Sequence, residues 1–505
     1  MSAHPTALAL DDPLAFEDST VLSALRSPKR LRIELLAGLA VALALIPEAI
    51  SFSILAGVDP QVGLFASFTM AVTISIVGGR RAMISAATGA IALVIAPVAK
   101  EYGLDYLIAT VLLAGVLQIV LSLAGAAKLM RFLPRSVMVG FVNALAIVIF
   151  MAQLPELIDV PAIVYPLVAI GLAILVFMPK WTSVVPAPLV VIVLLTVAAV
   201  VMGLDISTVG DQGELPSSLP SWFIPDVPFT LDTLQIIAPY AFAMALVGLL
   251  ESLMTAKLVD DITDTHSDKT RESWGQGVAN VVTGFFGGMG GCAMIGQTMI
   301  NVKQSGARTR LSTFLSGVFL LILVVVLGDA VALIPMAALV AVMVLVAIST
   351  FDWHSVAPAT LKRMPKSETS VMAVTVAVVV LTHNLAYGVG AGVLLAMVLF
   401  ARRVAHLVEV SSVKSPDGSE VVYTVDGQVF FASSNDLVYQ FDYAQDPDKV
   451  IIDMAAAHVW DASSVAALDA ITTKYERRGK TVEIVGMNVH STTMHGRLAG
   501  QLGSH

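Results

Sequence analysis

Apolar segments follow one another from about residue 33 to residue 401, with only short polar breaks between them. The chain of 505 residues is 57% hydrophobic and 13% charged, and its mean hydropathy is +0.84. An ordinary soluble domain carries roughly 25% charged residues, so this composition excludes one. Because a helix needs about 20 apolar residues to cross the hydrocarbon core, the pattern predicts a polytopic α-helical membrane protein with fourteen spans.

The positive residues predict how these spans are oriented, because cytoplasmic loops are enriched in Lys and Arg. With both termini inside a cell (inner) membrane, only Lys100 is left on the outer side. The stretch MSAHPTALALDDPLAFEDST, residues 1–20, lacks a basic region followed by an apolar one, so we interpret residues 1–30 as a cytoplasmic segment and not a signal peptide. The cations then placed inside are Arg26, Lys29, Arg30, Arg32, Arg80, Arg81, Lys128, Arg131, Arg135, Lys180, Lys257, Lys269, Arg271, Lys303, Arg308, Arg310, Lys362, Arg363, Lys366, Arg402 and Arg403.

The membrane region, 31–405, divides into two similar halves, at about 31–205 and 230–405, separated by a Pro-rich loop. Each half has an intramembrane glutamate near its start, Glu48 in ALALIPEAISFS and Glu251 in ALVGLLESLMTA. A glycine pair and a shared Ala-Met-Ile follow, in GGRRAMISAATGAIALV and GGCAMIGQTMINV, and then a Pro step into an apolar span. Seven spans is an odd number, so the repeats are predicted to be inverted in topology. The alternative is chance similarity between Ala/Val/Gly-rich segments.

The segment GGCAMIGQTMINVK at 290–303 is too short to span, since ten helical residues rise about 15 Å and the hydrocarbon core is about 30 Å thick. Short, Gly-interrupted segments at corresponding positions of inverted repeats are typical of discontinuous helices that meet near the midplane. Their free N-terminal amides can hold an anion. Alternatively, the small residues only let helices pack closely. The predicted substrate-binding residues on the third and tenth spans are Thr88, Gly89, Ala90, Gln297, Thr298 and Met299.

The remaining polar features indicate no cofactor, metal or nucleic-acid partner. Cys292 is the one cysteine, which excludes a disulfide framework, and the nine histidines show no metal-ligand spacing. The glycines of GFFGGMGG lack the strand and the GK[ST] ending of a phosphate loop. No nucleophile–base set is evident, so an enzyme is disfavoured. We interpret the acidic residues of LVDDITDTHSDKTRES as a solvated loop; they are Asp260, Asp261, Asp264 and Asp268.

The composition changes after Arg402 and Arg403. Residues 412–500 contain the strand-like SEVVYTVDGQVFFAS and then β-rich runs around an amphipathic helix at about 463–478. This pattern predicts a small soluble α/β domain on the cytoplasmic face.

The strand IIDM, followed by DASS and a helix, resembles the STAS domain, the fold of anti-sigma-factor antagonists. Its position after fourteen spans is similar to that in the SulP (solute carrier 26) family of anion transporters. Three stretches fit that family: IPEAISFSILAGVDPQVGLFASF at 46–68, the segment at 78–90, and QSGARTRLS at 304–312. The resemblance covers nearly the whole chain, about 28–500.

The resemblance implies a core domain and a gate domain, with a site between the third and tenth spans flanked by the first and eighth. Phe52, on the first span, joins the predicted substrate-binding residues. It also implies a homodimer and transport of sulfate, bicarbonate, chloride, oxalate or C4-dicarboxylates. Ser463, in DASS, matches the region phosphorylated in antagonist proteins.

Three departures from the family pattern matter for the site. Glu48 stands where the family usually has Gln, and Ala86-Ala87 replaces a common Gly-Pro. The tenth span has Thr298 and no cation before Lys303, where several members carry a basic residue beside a serine. An anion bound here is therefore expected to rely on amide dipoles and hydroxyls.

These observations favour a secondary active anion transporter that works by alternating access. We hypothesise that Glu48 takes up a proton as the anion binds, while Glu251 orients the site or shares the proton, which gives anion–proton symport. Three alternatives stay open for these side chains: Glu48 only hydrogen-bonds broken backbone, Glu251 is a structural residue, or sodium is coupled through Glu251 and Thr255. An uncoupled channel or an exchanger of the same fold is a further alternative. A nucleobase permease is not expected to carry the C-terminal domain, and a sensor needs no intramembrane glutamates.

Overall fold

The computed structural model describes residues 20–125, 128, 134–181, 187–382, 384–405 and 408–501. The predicted leader up to residue 19 and the cation Arg131 lie outside the described residues. The chain divides into two compact units between Val393 and Leu394.

The first unit is helical apart from two very short strands. In chain order its elements, with the helix that leads out of it, are α1 (Val21–Arg26), α2 (Pro28–Ala56), α3 (Pro60–Val77), β1 (Ser85–Ala86), α4 (Gly89–Tyr102), α5 (Leu104–Leu123), α6 (Arg135–Ala152), α7 (Val164–Phe177), α8 (Ala187–Val201), α9 (Leu231–Thr263), α10 (Lys269–Phe285), β2 (Cys292–Ala293), α11 (Ile295–Met299), α12 (Arg310–Val326), α13 (Gly328–Ala332), α14 (Met336–Thr350), α15 (Pro358–Arg363), α16 (Lys366–Thr382) and α17 (Leu385–Ala405).

These elements supply the fourteen predicted spans if β1–α4 and β2–α11 each count as one and the short α1, α13 and α15 are set aside. Six of the helices in the described residues are long and apolar enough to cross a membrane by themselves. The third and tenth spans are discontinuous, as predicted: each enters as an extended strand and becomes helical only after it. After α11 the tenth span continues as a π-helical turn over Ile300–Gln304.

Helix packing follows the inverted repeat. Helix α5 packs against α9 and α10 of the other repeat, and its counterpart α12 packs against α2 and α3. Each repeat therefore completes the other's core. The counterparts α6 and α14 pack against each other, α16 packs against α6, and α14 packs against α7. The first set of helices corresponds to the expected core domain and the second to the gate domain.

Charged side chains gather at one face of this unit. Asp260 forms ion pairs with Arg80, at 2.9 Å, and with Lys269. Arg271 Nε donates to the carbonyl of Val77 at 3.0 Å. The interpretation of the acidic run as a solvated loop is wrong for Asp260, because α9 continues to Thr263 and the carboxylate is largely buried between two cations. Asp268 is also structural, since its side chain accepts from Arg271 N and caps α10.

The opposite face is closed by the Pro-rich loop between α8 and α9. Gln61 N, at the start of α3, donates to the carbonyl of Glu214 at 3.0 Å. Val209 N donates to the carbonyl of Ile334, and Met336 N donates to that of Ser207. The loop thus contacts the start of α3, whereas Arg271 contacts its end, so this loop and the cluster of Arg80, Lys269 and Arg271 lie at opposite ends of that helix.

The second unit contains a four-stranded sheet in the order β3 (Glu409–Lys414), β4 (Glu420–Val429), β5 (Lys449–Val459), β6 (Thr481–Val485). The first pair is antiparallel and the other two are parallel. The helices are α18 (Phe431–Val438), α19 (Ala462–Glu476) and α20 (Val489–Leu498). The predicted amphipathic helix is α19, whose N-cap Asp461 accepts from Ser464 N at 2.9 Å. Ser463 is exposed in its first turn.

Candidate functional site

The two discontinuous spans meet through their strands in the middle of the first unit. Ser85 pairs with Ala293 and Ala86 pairs with Cys292, antiparallel. The close approach needs a glycine at position 291, because a Cβ there would lie 2.0 Å from the carbonyl oxygen of Ala86. Irregular backbone at membrane depth is stable only when its polar groups are satisfied within the protein, and this pairing satisfies part of them.

Helix α10 supplies most of the remaining support. The side chain of Asn280 donates to Gly291 O at 3.0 Å and accepts from Gly291 N at 2.8 Å. Gln276 Nε2 donates to Ser85 Oγ at 2.7 Å. These residues lie on one buried face of the helix together with Glu272 and Thr283. The sequence analysis missed this polar face, although polar residues at helical spacing in an otherwise tightly packed segment signal it.

Beyond β1, Thr88 is the N-cap of α4, and its hydroxyl accepts from Ile91 N at 3.3 Å. The same hydroxyl lies 3.1 Å from Cys292 Sγ, and the thiol donates to Oε2 of Glu251 at 2.8 Å. Cys292 therefore joins the cap of one half-helix to an intramembrane glutamate, a role that its sequence context did not indicate. The Thr255 hydroxyl donates to the carbonyl of Glu251, not to its carboxylate.

On the tenth span, the predicted site residues differ in their surroundings. The Gln297 side-chain amide faces the carboxyl of Glu48. Thr298 is fully buried, and its hydroxyl accepts from Ile84 N at 3.0 Å, so it also holds the segment that leads into β1. Met299 is half-buried, whereas Gly296 is exposed with open space where a Cβ would stand. The structure thus brings Glu48 and Gln297 together and uses Thr298 largely within the fold.

Gly89 and Phe52 lie in contact at the start of α4. A Cβ on Gly89 would lie 2.9 Å from Cε1 of Phe52 and 3.1 Å from Cδ1 of Ile149, which belongs to α6. Ala90 is fully buried beside them. Gly89 therefore lies where a core element meets a gate helix, so any added side chain presses on both.

Both intramembrane glutamates are buried, each with 8% of its surface exposed. Neither forms an ion pair with a cation among the described residues. A buried carboxyl without a cationic partner is costly unless it is hydrogen-bonded, protonated or beside a bound cation. No cluster of three or more metal-ligating side chains occurs in the described part of the chain.

Two cavities of about 260 Å³ each separate core from gate, one toward each face. The basic crevice is lined by Arg135, Met138, Val139, Val142, Met254, Lys257, Leu258, Asp261, Ile295 and Asp352. The Lys100 crevice is lined by Ser51, Ile54, Leu55, Lys100, Ala152, Gln153, Pro155, Glu156, Met336 and Leu339. The basic crevice lies toward the face that carries the clustered cations and reaches Ile295, the first residue of α11.

A pair of inverted repeats crossing at two half-helices, with access from both faces, is the architecture of a membrane transporter. The sequence matches the sulfate permease family over residues 31–166 and 163–375 and the STAS domain over residues 410–493. The chain therefore belongs to the sulfate permease family, and it is a transporter by family and not an enzyme.

Curated relatives agree with this assignment. The chain is 52% identical over 469 residues to the putative sulfate transporter YbaR of Bacillus subtilis, an alignment that covers 93% of this chain and 97% of that protein. It is 27% identical over 508 residues to the bicarbonate transporter BicA of Synechocystis, covering 91% of this chain and 88% of that one.

Solved structures support the fold. The murine Solute Carrier 26 family member A9 anion transporter in the inward-facing state matches with a TM-score of 0.81 at 18% identity, over 94% of this chain and 89% of that chain. The transmembrane domain of a cyanobacterium bicarbonate transporter BicA matches with a TM-score of 0.62 at 26% identity, over 73% of this chain and 98% of that chain. The predicted family, the fourteen-span fold with inverted repeats and the C-terminal STAS domain are thus confirmed.

Proposed function

We propose that the protein is a secondary active transporter of small anions that works by alternating access with the anion at the two half-helices. The observation that carries this proposal is the crossing of β1 and β2, which turns the N-termini of α4 and α11 toward a common region beside Phe52 and Gln297. Helix N-termini attract anions through their free amides and dipoles without a full charge. The substrate class is the one that the names of the relatives suggest, sulfate or bicarbonate, together with C4-dicarboxylates.

Proton coupling through Glu48 is the second part of the proposal. Its carboxyl is buried without a cation among the described residues and faces Gln297, on a half-helix. A negative substrate bound nearby favours the neutral form of this carboxyl, so anion and proton enter together. Glu251 orients the other half-helix through Cys292.

The accompanying assignments are an inner-membrane location with both termini cytoplasmic, a homodimer, and the boundaries 1–30, 31–405 and 412–500 for leader, transport domain and STAS domain. The clustering of Arg80, Lys269 and Arg271 at one face supports the orientation.

Uptake of labelled sulfate, bicarbonate and fumarate into liposomes containing the purified protein tests the function. Failure to transport any of them, under imposed pH and sodium gradients, refutes it, and unitary currents identify a channel instead.

The coupling is tested with Glu48→Gln. An inward gradient of one pH unit supplies about 1.4 kcal/mol per proton, which supports about tenfold accumulation for electroneutral one-to-one coupling. The variant should lose this accumulation and still exchange labelled for unlabelled anion. Glu101→Gln, at an exposed glutamate near the end of α4, is the matched control and should behave as wild type. Accumulation that persists in Glu48→Gln contradicts the proposal, and accumulation driven by sodium points to Glu251 and Thr255.

A further inference from the structure

The basic crevice and the Lys100 crevice occupy equivalent positions in the two repeats. Both are lined by the third, sixth and seventh residues after the intramembrane glutamate. These are Ser51, Ile54 and Leu55 after Glu48, and Met254, Lys257 and Leu258 after Glu251. Both are also lined by the first and fourth residues of a gate helix, which are Arg135 and Met138 in α6 and Met336 and Leu339 in α14. The two cavities are therefore the same structural position seen from opposite faces.

Their chemistry differs at two of these shared positions. Lys257 stands where the other repeat has Ile54, and Arg135 stands where it has Met336. The two cations belong to different parts of the carrier, Lys257 to α9 in the core and Arg135 to α6 in the gate. Neither forms an ion pair with another residue in the described ranges.

Two carboxylates share the basic crevice. Asp352 is engaged by backbone, because its Oδ1 accepts from His354 N at 3.1 Å and from Ser355 N at 3.2 Å. Asp261 lies one helical turn after Lys257 and is exposed. Asp261 and Asp352 together offset the formal charge of Arg135 and Lys257, but neither carboxylate lies within 4.0 Å of a cation, so the positive charge is local to the two cationic side chains.

We propose that the basic crevice is a second anion site, in which Arg135 and Lys257 hold a small inorganic or carboxylate anion from gate and core at once. This inference rests on the proposed transport function and adds a site that the half-helix geometry does not contain. Closing the crevice brings Arg135 of the gate toward Lys257 of the core, and an anion held between these two cations favours that approach. The site thus makes closure on this face depend on a bound anion. The Lys100 crevice has no cations at the two equivalent positions, so the same dependence is not expected there.

The test measures the potential in the crevice with the full-length protein. Cys292 is fully buried, so a thiol introduced by Val139→Cys can be followed as the accessible cysteine. The rates of its modification by a negative (sulfonatoethyl) and a positive (trimethylammonioethyl) methanethiosulfonate reagent are compared. Adding Arg135→Gln or Lys257→Gln should lower the negative-to-positive rate ratio by about fivefold each, and Asp261→Asn should raise it. Lys362→Gln, an exposed cation outside the crevice, should leave the ratio unchanged.

Occupancy is tested with sulfate as the probe at constant ionic strength set by gluconate. Sulfate should slow modification of Val139→Cys, and this protection should weaken at least fivefold when either cation is neutralised. Leu339→Cys, in the Lys100 crevice, should show no protection that depends on Arg135 or Lys257. If neutralising Arg135 or Lys257 changes neither the rate ratio nor the protection by sulfate, the second site is refuted, even if the wild type transports sulfate. Conversely, a protein that transports no anion but shows the protection retains the site and loses the proposed function.

Discussion

The side chain of Asn280 makes both backbone hydrogen bonds of Gly291, at 3.0 and 2.8 Å, and so acts as a third strand beside the crossing of β1 and β2. Its own amide is further held by Gln118, whose Oε1 accepts from Nδ2 at 2.9 Å. The geometry of the half-helices therefore depends on a residue of α10, outside both discontinuous spans.

Replacing Asn280 by Ala should abolish transport and lower stability, because each buried backbone group left without a partner costs about 1–3 kcal/mol. Asn280→Asp keeps an acceptor for Gly291 N but sets a carboxylate oxygen against the oxygens of Gly291 and Gln118, so it should be at least as destabilising as Ala. Thr283→Val is the control on the same face: it removes the 2.7 Å hydrogen bond to Thr69 and leaves Gly291 untouched. Uptake rates and thermal unfolding are measured together. Full transport by Asn280→Ala would show that the strand pairing needs no such support.

Enlarging Gly89 should stop transport, because a Cβ added there would press against Phe52 and Ile149. We expect Gly89→Val to lose uptake completely and Gly89→Ala to lose most of it, with partial recovery when Phe52→Leu is added. Gly296→Ala is the matched control on the other half-helix, since open space surrounds that position. Labelled-sulfate uptake, normalised to folded protein, is the measurement. Normal uptake by Gly89→Val contradicts the proposed site.

Asp260→Asn should destabilise the first unit, since Arg80 is buried and would lose its ionised partner. Removing one member of a buried ion pair costs about 3–5 kcal/mol, and solvent near Asp260 places the expected loss at the lower end. Asp264→Asn changes an exposed residue at the end of α9, in a left-handed conformation that Asn tolerates, and should have little effect. Thermal unfolding in detergent compares the two variants. Equal melting temperatures would mean that the Asp260 pairs contribute nothing.

The second unit should lose stability between pH 10 and 12. Burial, together with the neighbouring Tyr423, raises the pKa of Tyr443 from 10.0 to about 12, and Arg478 opposes this shift. Because the pKa is raised in the folded state, the stabilisation is present below pH 10 and is lost as the pH rises toward 12. Burial and the hydrogen bond to Asp446 also raise the pKa of Tyr475. In Tyr443→Phe the free energy of unfolding, measured with urea, should fall less steeply between pH 10 and 12. An unchanged fall would exclude Tyr443 as its cause.

The sequence predicted those features that depend on local pattern. Hydropathy and the paired landmarks around Glu48 and Glu251 indicated the spans, the inverted repeats and the half-helices, and these agree with the fold. The hydrogen bonds of Cys292 and Asn280 could not be predicted, because their partners are brought together only by packing. The sequence analysis assigned Asp260 to a loop because an acidic residue at a helix C-terminus opposes the helix dipole. In the structure Arg80, Lys269 and Ser267 compensate for this, and they reach Asp260 only through the fold.

The predicted site residues are still to be tested by experiment, but the structure separates their surroundings. The hydroxyl of Thr298 already accepts a hydrogen bond from Ile84 N, whereas Gly89 lies against Ile149 of the gate. A residue pattern indicates which membrane segments are discontinuous helices. It does not indicate which of their side chains are already hydrogen-bonded to neighbouring backbone. That distinction required the register of β1 on β2.

The interleaving of the two repeats has a consequence for biosynthesis. The partner of β1 is made about 200 residues later, which at about 5–20 residues per second leaves it missing for about 10–40 seconds. During that interval α4 is too short to cross the bilayer, and the backbone before it has no strand to pair with. The first half of the nascent chain therefore cannot finish folding before the second half is made. Until β2 is synthesised, the unpaired backbone of β1 must be held by the insertion machinery or remain hydrated.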